Sequence, residues 1–122
     1  MAILNRGLGF VVASYTGTTN NIALDLGFVP AFAQGWDVST GLTYWMWSDA
    51  MNGTTGGTTA MGVVASSSVI AGLGTIATIA AGAGGIASMS GASGSGIGLV
   101  IGTDTSINIL SHGVIVFAHE PM

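Results

Sequence analysis

The 122-residue chain carries one basic and five acidic side chains, so 5% of it is charged, against roughly 25% in soluble domains. Its net charge of −4 with a single cation excludes nucleic acid as a partner, because neutralising several phosphates requires several Lys or Arg side chains. The length suits one domain over residues 1–122, and the absence of cysteine excludes disulfides, thiolate zinc sites and cysteine nucleophiles.

The early chain does not predict a signal peptide. Arg6 and several apolar residues begin it, but Gly, Ser, Tyr and Thr interrupt the apolar run before a signal peptide core can form. Further along, Ile22, Leu24 and Leu26 alternate with polar or small residues such as Asp25. This period of two predicts a half-buried strand with its apolar side on the core.

The next predicted strand is bulky on both sides. Trp45 and Trp47 share one face of it, while Tyr44 and Met46 share the other. A strand with large side chains on both faces is typical of a central position. We therefore predict a central strand here, with both of its surfaces covered.

Three environments compete for the tryptophans, which are the core or a subunit contact, a sugar ligand, and a membrane. We favour the core or a subunit contact for Trp45 and Trp47, because each can bury roughly 150–250 Å² there. Trp36 adjoins the charged Asp37. That neighbour predicts a position nearer the rim of a buried surface, where a sugar could also stack.

A long uncharged stretch raises the question of a membrane span. No charge occurs between Ala50 and Thr103, and residues 62–81 have the length of a span. Ser, Thr and Gly dilute the hydropathy of that run, no aromatic residue flanks it, and no Lys or Arg lies near either end. The composition favours strands and turns over a transmembrane helix.

The glycine-rich stretch 82–96 predicts a flexible or surface-draped connection. It contains a mimic of a dinucleotide-binding fingerprint, formed by Gly82, Gly84 and Ala87 with Asp104 further on. The fingerprint requires a helix that opens at the glycine turn, whereas serine and glycine follow here. We therefore predict a glycine-rich loop and no bound cofactor.

Two further alternating segments, 97–101 and 114–119, predict the last strands of the fold. Clusters of Gly, Thr, Asn, Asp and Ser separate the predicted strands. Short segments joined by such turns predict an all-β domain, an antiparallel sandwich or barrel with long Gly/Ala/Ser-rich loops. The turn clusters are 16–21, 39–41, 52–57 and 102–106.

The residues that could carry chemistry do not form a convincing site. His112, His119 and Glu120 invite a metal hypothesis, but the two histidines lie seven residues apart, so an extended strand places them on opposite faces. No nucleophile elbow or positioned base accompanies the many serines. We predict that the protein is not an enzyme and that it has no catalytic, cofactor-binding or metal-binding residues.

Two sequence blocks resemble capsid decoration (cement) proteins of tailed bacteriophages. LGFVPAFAQGWDVSTGLTYWMWSDAMNGT (26–54) is similar to their segment in which GF-x-P, an apolar strand, N/D-x-T/S, an aromatic-W strand and M-x-G follow in order. GLVIGTDTSINILSHGVIVFAHEPM (98–122) is similar to their closing G-T-D turn, I-N pair and final strand ending in alanine. The chain departs from the family at Tyr44 and His119, where acidic and basic residues are common.

The resemblance implies a virion structural protein made in the host cytoplasm, which binds the outer capsid surface as a homotrimer and contacts the major capsid protein. The alternative is a β-rich tail or adhesion component that binds host glycans through Trp36. Low charge independently predicts a surface covered by partners or sister subunits. The predicted core or interface anchors are Phe28, Pro30, Trp36, Trp45, Trp47, Ile101 and Phe117.

Overall fold

A computed structural model describes residues 1–39, 43–49, 62–65, 75–78, 84–90, 96–105 and 107–121. These residues contain ten β-strands and no α-helix, so the predicted all-β class is confirmed. The strands are β1 (Ala2–Gly7), β2 (Phe10–Thr16), β3 (Ile22–Asp25), β4 (Phe32–Asp37), β5 (Thr43–Ser48), β6 (Gly62–Ala65), β7 (Thr75–Thr78), β8 (Ile86–Ser90), β9 (Ile97–Ile101) and β10 (Gly113–His119).

The strands form two antiparallel sheets, arranged as a sandwich rather than a closed barrel. The larger sheet has the order β1-β2-β10-β4-β5-β6-β7, and the smaller sheet has the order β3-β9-β8. The last strand, β10, therefore lies between β2 and β4 in the middle of the larger sheet. Of the two architectures that the sequence left open, the protein has the sandwich.

The core lies between the two sheets and is built from alternate residues of their strands. Because successive side chains of a strand point to opposite faces, every second residue of β2, β5 and β10 faces the smaller sheet. Burying one of the larger apolar side chains contributes about 1.5–3 kcal/mol. The core residues are Val11, Ala13, Tyr15, Leu24, Leu26, Ala33, Trp45, Trp47, Ile86, Leu99, Ile101, Ile107, Val114, Val116 and Ala118.

Strands predicted from alternation are present. The segments that begin at Ile22, Ile97 and Val114 correspond to β3, β9 and β10. The bulky strand is also central, since β5 pairs with β4 on one side and β6 on the other. The expectation that both of its surfaces are covered is wrong within this chain, because Tyr44 and Met46 are only half-buried on the face away from the smaller sheet.

The glycine-rich stretch 82–96 is not wholly a loop, which corrects the sequence interpretation. Within it, β8 pairs with β9, and Ile86 is fully buried opposite Ile101. Pairing with an apolar neighbour compensates for the low strand propensity of the surrounding Gly and Ser, because propensity depends on packing context. Residues 91–95 lie outside the described residues.

The uncharged run that raised the question of a membrane span contains β6 and β7. Helices of membrane-spanning length and hydropathy are absent from the described part of the chain. The predicted turn cluster 52–57 falls outside the described residues, and so does part of the cluster 39–41.

A buried hydroxyl joins the core to the loop that precedes β10. Tyr15 donates a 2.7 Å hydrogen bond to the carbonyl oxygen of Ile107, and Trp45 Nε1 donates a 3.1 Å hydrogen bond to the Tyr15 hydroxyl. Burial raises the pKa of Tyr15 far above its ordinary value, against the smaller lowering effect of the Trp45 hydrogen bond. The hydroxyl therefore stays protonated in the folded protein.

This raised pKa predicts a loss of stability in alkali. Tyr15 makes its full contribution to the free energy of unfolding below pH 10, the approximate pKa of tyrosine in the unfolded chain. Above that pH the contribution falls by about 1.4 kcal/mol per pH unit, because the unfolded state releases a proton that the folded state retains. We expect the stability difference between wild type and Tyr15→Phe to narrow from about pH 9 to about pH 11 in equilibrium denaturation. A difference that stays constant over this range would contradict the assignment.

A second buried polar side chain fixes the loops at the same end of the sandwich. Asn108 is 2% exposed, and its Oδ1 accepts a 2.6 Å hydrogen bond from the Thr18 N–H. Its Nδ2 donates to the carbonyl oxygens of Asn20 and Gly102 at 2.8 and 2.9 Å. One amide thus ties the turn after β2 to the turn after β9.

Candidate interaction surface

The larger sheet has a second apolar face, directed away from the smaller sheet. It is formed by the outward positions of β2, β10, β4 and β5, which are the residues that alternate with the core positions of the same strands. We call this surface the outer apolar face. It comprises Phe10, Val12, Phe32, Trp36, Tyr44, Met46, Ile115 and Phe117.

Strand register makes these residues contiguous. Ile115 lies opposite Trp36 on β4, and Trp36 lies opposite Tyr44 on β5. In the adjacent row, Phe117 lies opposite Val12 on β2. Side chains at directly opposed positions have Cβ atoms about 4.5–5.5 Å apart, so the rows form one continuous patch.

Several of the aromatic side chains on this face are exposed to solvent. Trp36 is 47% exposed, and Phe10 and Phe117 are each 37% exposed. A folded domain gains nothing from leaving rings this large in water, whereas a partner that covers them gains roughly 25 cal/mol for each Å² of apolar surface removed from water. The outer apolar face is therefore a candidate interaction surface.

The face carries no formal charge. None of the outward positions on β2, β10, β4 and β5 is Asp, Glu, Lys or Arg. His119 is its one imidazole, and its ring lies 6.3 Å from that of Phe32, centroid to centroid. The centres of protein interfaces are likewise depleted of charge and enriched in aromatic residues.

One corner of the face forms an aromatic platform. The ring centroids of Trp36 and Tyr44 are 4.6 Å apart with an interplanar angle of 51°. The Tyr44 hydroxyl donates a 3.2 Å hydrogen bond to Gln34 Oε1. Exposed aromatic rings beside an amide can bind a sugar as well as a protein.

The size of the face bears on how it could bind. Four strands about 4.8 Å apart and about 20 Å long cover on the order of 400 Å² in projection. A standard stable interface buries about 800 Å² on each partner. The outer apolar face therefore supplies about half of such an interface, and tight binding requires additional contacts or several copies.

The predicted anchor residues divide between core and surface. Trp36 and Phe117 belong to the outer apolar face, where both are partly exposed. The remaining anchors are buried in the core or packed against it, namely Phe28, Pro30, Trp45, Trp47 and Ile101. The Trp45 and Trp47 side chains are at most 1% exposed.

The histidines considered as metal ligands have other partners. His112 Nδ1 lies 2.7 Å from Oδ2 of the buried Asp37, whose Oδ1 accepts the Ser39 N–H. Ser39 Oγ accepts the Gly113 N–H, so this group joins the ends of β4 and β10. No group of three or more His, Cys, Asp or Glu side chains in the described residues is placed to hold a metal ion.

The glycine mimic of a dinucleotide site has a different role. Gly84 adopts a positive φ of 92° immediately before β8, and its carbonyl oxygen accepts the Asp104 N–H. A strand rather than a helix follows, so the helix N-terminus that would bind a pyrophosphate does not form there. A neighbouring cleft of about 470 Å³ lies between this turn and the turn after β9, and none of the described residues that line it has a titratable side chain.

Comparison with known proteins does not identify a function, so the functional argument rests on the structure and the sequence. No protein-family model, curated protein or solved structure matched the chain.

Sequence reasoning found Trp36 and Phe117 but missed Phe10, Phe32 and Ile115 as members of one surface. The available signal was apolar character at both odd and even positions of β2, which indicates a strand with two apolar faces.

Proposed function

We propose that the protein is a non-enzymatic virion structural protein that binds the outer surface of a phage capsid and stabilises contacts between capsid subunits. The outer apolar face is the observation that carries this proposal, because it is an exposed, uncharged aromatic surface on a rigid sheet. The resemblance of residues 26–54 and 98–122 to decoration proteins supplies the identity of the partner.

The position of the two resembling blocks supports the proposal. The first block contains β4 and β5, and the second contains β10, which pairs with β4. Together they contribute Phe32, Trp36, Tyr44, Ile115 and Phe117 to the outer apolar face. The segments that resemble decoration proteins thus build most of the candidate interaction surface.

Stabilisation of a capsid would follow from mass action. A protein that binds the assembled shell more tightly than the separated subunits shifts the equilibrium towards the shell. Because one outer apolar face supplies about half of a standard interface, an oligomer that engages several capsid sites at once would compensate through effective concentration. A homotrimer, as the resemblance implies, would suit three-fold positions on the shell.

The double variant Trp36→Gln, Phe117→Gln is expected to weaken binding to capsid shells by at least about tenfold, because two partly exposed apolar anchors are lost. Co-sedimentation with shells assembled from the major capsid protein of the same phage measures the effect. The matched control is Ile97→Gln, since Ile97 is 39% exposed on the smaller sheet. Undiminished binding by the double variant would overturn the proposed role of the outer apolar face.

The aromatic platform favours a second candidate, a tail or adhesion component that binds host glycans. Trp36 and Tyr44 could stack against a sugar ring while Gln34 binds its hydroxyls. Isothermal titration calorimetry with host surface polysaccharide tests this function. Saturable binding that is lost in Trp36→Gln, together with no binding to capsid shells, would replace the first candidate with the second.

A further inference from the structure

Within the part of the chain that the structure describes, β1 leaves one edge of the larger sheet open. It pairs with β2 on one side, and all six of its residues are exposed. Ile3 lies opposite the inward-facing Ala13, yet it is 39% exposed, so the smaller sheet does not cover this part of the sandwich. An open edge presents a row of backbone N–H and C=O groups that another strand can bind.

The features that usually protect an edge strand are few in β1. It contains no Lys, Pro, Asp or Glu. Its single charge, Arg6, lies opposite the buried Val11, and Arg6 Nη1 donates a 3.0 Å hydrogen bond to the carbonyl oxygen of Leu26. The guanidinium therefore points inward and binds the segment after β3, and an inward-pointing charge of this kind weakens edge pairing.

Leu4 lies at the middle of this edge. A β-bulge between Ile3 and Asn5 leaves Leu4 without a register partner on β2, and its side chain is 53% exposed. Bulges twist an edge and weaken pairing. A contact at this edge is therefore expected to be of micromolar rather than nanomolar affinity.

We propose that β1 pairs antiparallel with β1 of a second copy of this chain, about a two-fold axis at Leu4. This register places Ala2 opposite Arg6 of the other copy and keeps the two Arg6 side chains about 13 Å apart along the strands. None of the five acidic side chains lies on β1 or β2. Charge thus permits the pairing, Leu4 lies opposite Leu4 of the other copy, and Ile3 lies opposite Asn5.

The inference deepens the self-association in the proposed function and rests on that part of it alone. A two-fold contact produces dimers, or six-copy assemblies if a three-fold contact is also present. Three copies alone would require a head-to-tail interface instead. The mass of the oligomer that the protein forms in the absence of capsid therefore distinguishes this arrangement from a simple trimer.

Leu4→Lys tests the pairing, with Leu8→Lys as its matched control. Leu8 lies in the β1–β2 turn and is fully exposed, so it receives the same substitution outside the edge. Because lysine on an edge opposes pairing, we expect Leu4→Lys to raise the dimer dissociation constant at least about tenfold in sedimentation equilibrium. Leu8→Lys is expected to associate as wild type does.

Cysteine variants identify the second copy directly. The chain has no cysteine, so Leu4→Cys introduces one thiol, and two opposed Cα atoms about 4.5–5.5 Å apart allow a disulfide. Oxidation should yield a covalent dimer of Leu4→Cys and none of Leu8→Cys.

A wild type that is monomeric or simply trimeric at about 100 μM, well above a micromolar dissociation constant, would overturn the proposal. If the wild type is monomeric and binds capsid shells, and Leu4→Lys does not bind them, the edge contacts the capsid protein instead of a second copy. The Trp36→Gln, Phe117→Gln variant should still dimerise, which keeps this result separate from the capsid test.

Discussion

Replacing Asn108 with leucine is expected to lower the free energy of unfolding by about 2–4 kcal/mol, since a buried polar group left unpaired costs about 1–3 kcal/mol and each part-buried hydrogen bond contributes about 0.5–1.5 kcal/mol. The carbonyl oxygen of Gly102 would lose a buried hydrogen bond, and the N–H of Thr18 would lose a part-buried one. The carbonyl oxygen of Asn20 would lose one of two donors and would still accept from the Thr18 hydroxyl. Leucine has the same number and branching of side-chain heavy atoms, so the loss reports on missing hydrogen bonds and not on a cavity. Equilibrium chemical denaturation measures the change.

Two further variants make the Asn108 result specific. Asn108→Asp keeps the oxygen that accepts from Thr18 but turns a carboxylate oxygen towards the carbonyl oxygens of Asn20 and Gly102, so near pH 7 its loss should be at least as large as that of Asn108→Leu. Asn20→Ala is the control, because the Asn20 side chain is exposed and Asn108 binds its backbone carbonyl. A loss below about 1 kcal/mol in Asn108→Leu would show that water replaces the amide.

The second large effect is expected at Gly35. This glycine lies directly opposite Trp45, and a Cβ at position 35 would overlap the indole ring. Gly35→Ala should therefore displace Trp45 and lower the free energy of unfolding by about 2–4 kcal/mol, because overpacking costs about 1–3 kcal/mol and the hydrogen bond to Tyr15 is lost as well. Denaturation monitored by tryptophan fluorescence measures both the loss and the displacement.

Gly113→Ala is the matched control for Gly35→Ala. Gly113 also lies in a strand of the larger sheet, but the nearest atoms to its Cβ, on Val38 and Ser39, are 3.7 and 3.8 Å away. Its stability should change by less than about 0.5 kcal/mol. Trp45→Phe should lower the free energy of unfolding less in the Gly35→Ala background than in wild type, because the smaller ring leaves room for the added methyl group. Independent, additive effects of the two substitutions would contradict the proposed contact.

The success of sequence reasoning depended on the contrast between the two faces of each strand. β3 was predictable because large apolar residues such as Leu24 alternate with smaller or polar ones such as Asp25. β2 and β10 carry large apolar residues on both faces, because their outer side belongs to the outer apolar face. Alternation in these two strands contrasts two apolar sets instead of an apolar and a polar set, so the feature that suggests function also conceals which face is buried in the core.

The candidate surface was harder to predict than the fold class. Its members come from β2, β4, β5 and β10, which are far apart in the sequence, and strand order alone brings them together. Nothing local to Phe10 indicates that it shares a face with Phe117. Conversely, the I-N pair in the closing block could be noticed only as a resemblance, and the structure gives the buried Asn108 a structural role in three hydrogen bonds.

The central position of β10 has a consequence for synthesis. Among the described strands it is the last to leave the ribosome, yet β2 and β4 both need it as a neighbour. Until residues 113–119 emerge, these two strands expose unpaired edges together with their aromatic side chains, and such species aggregate readily. The nascent chain must therefore remain unfolded or bound to a chaperone until translation has passed β10. Folding then depends on contacts across roughly a hundred residues of sequence, and contacts of that separation place it among the slower small domains, in the range of milliseconds to seconds.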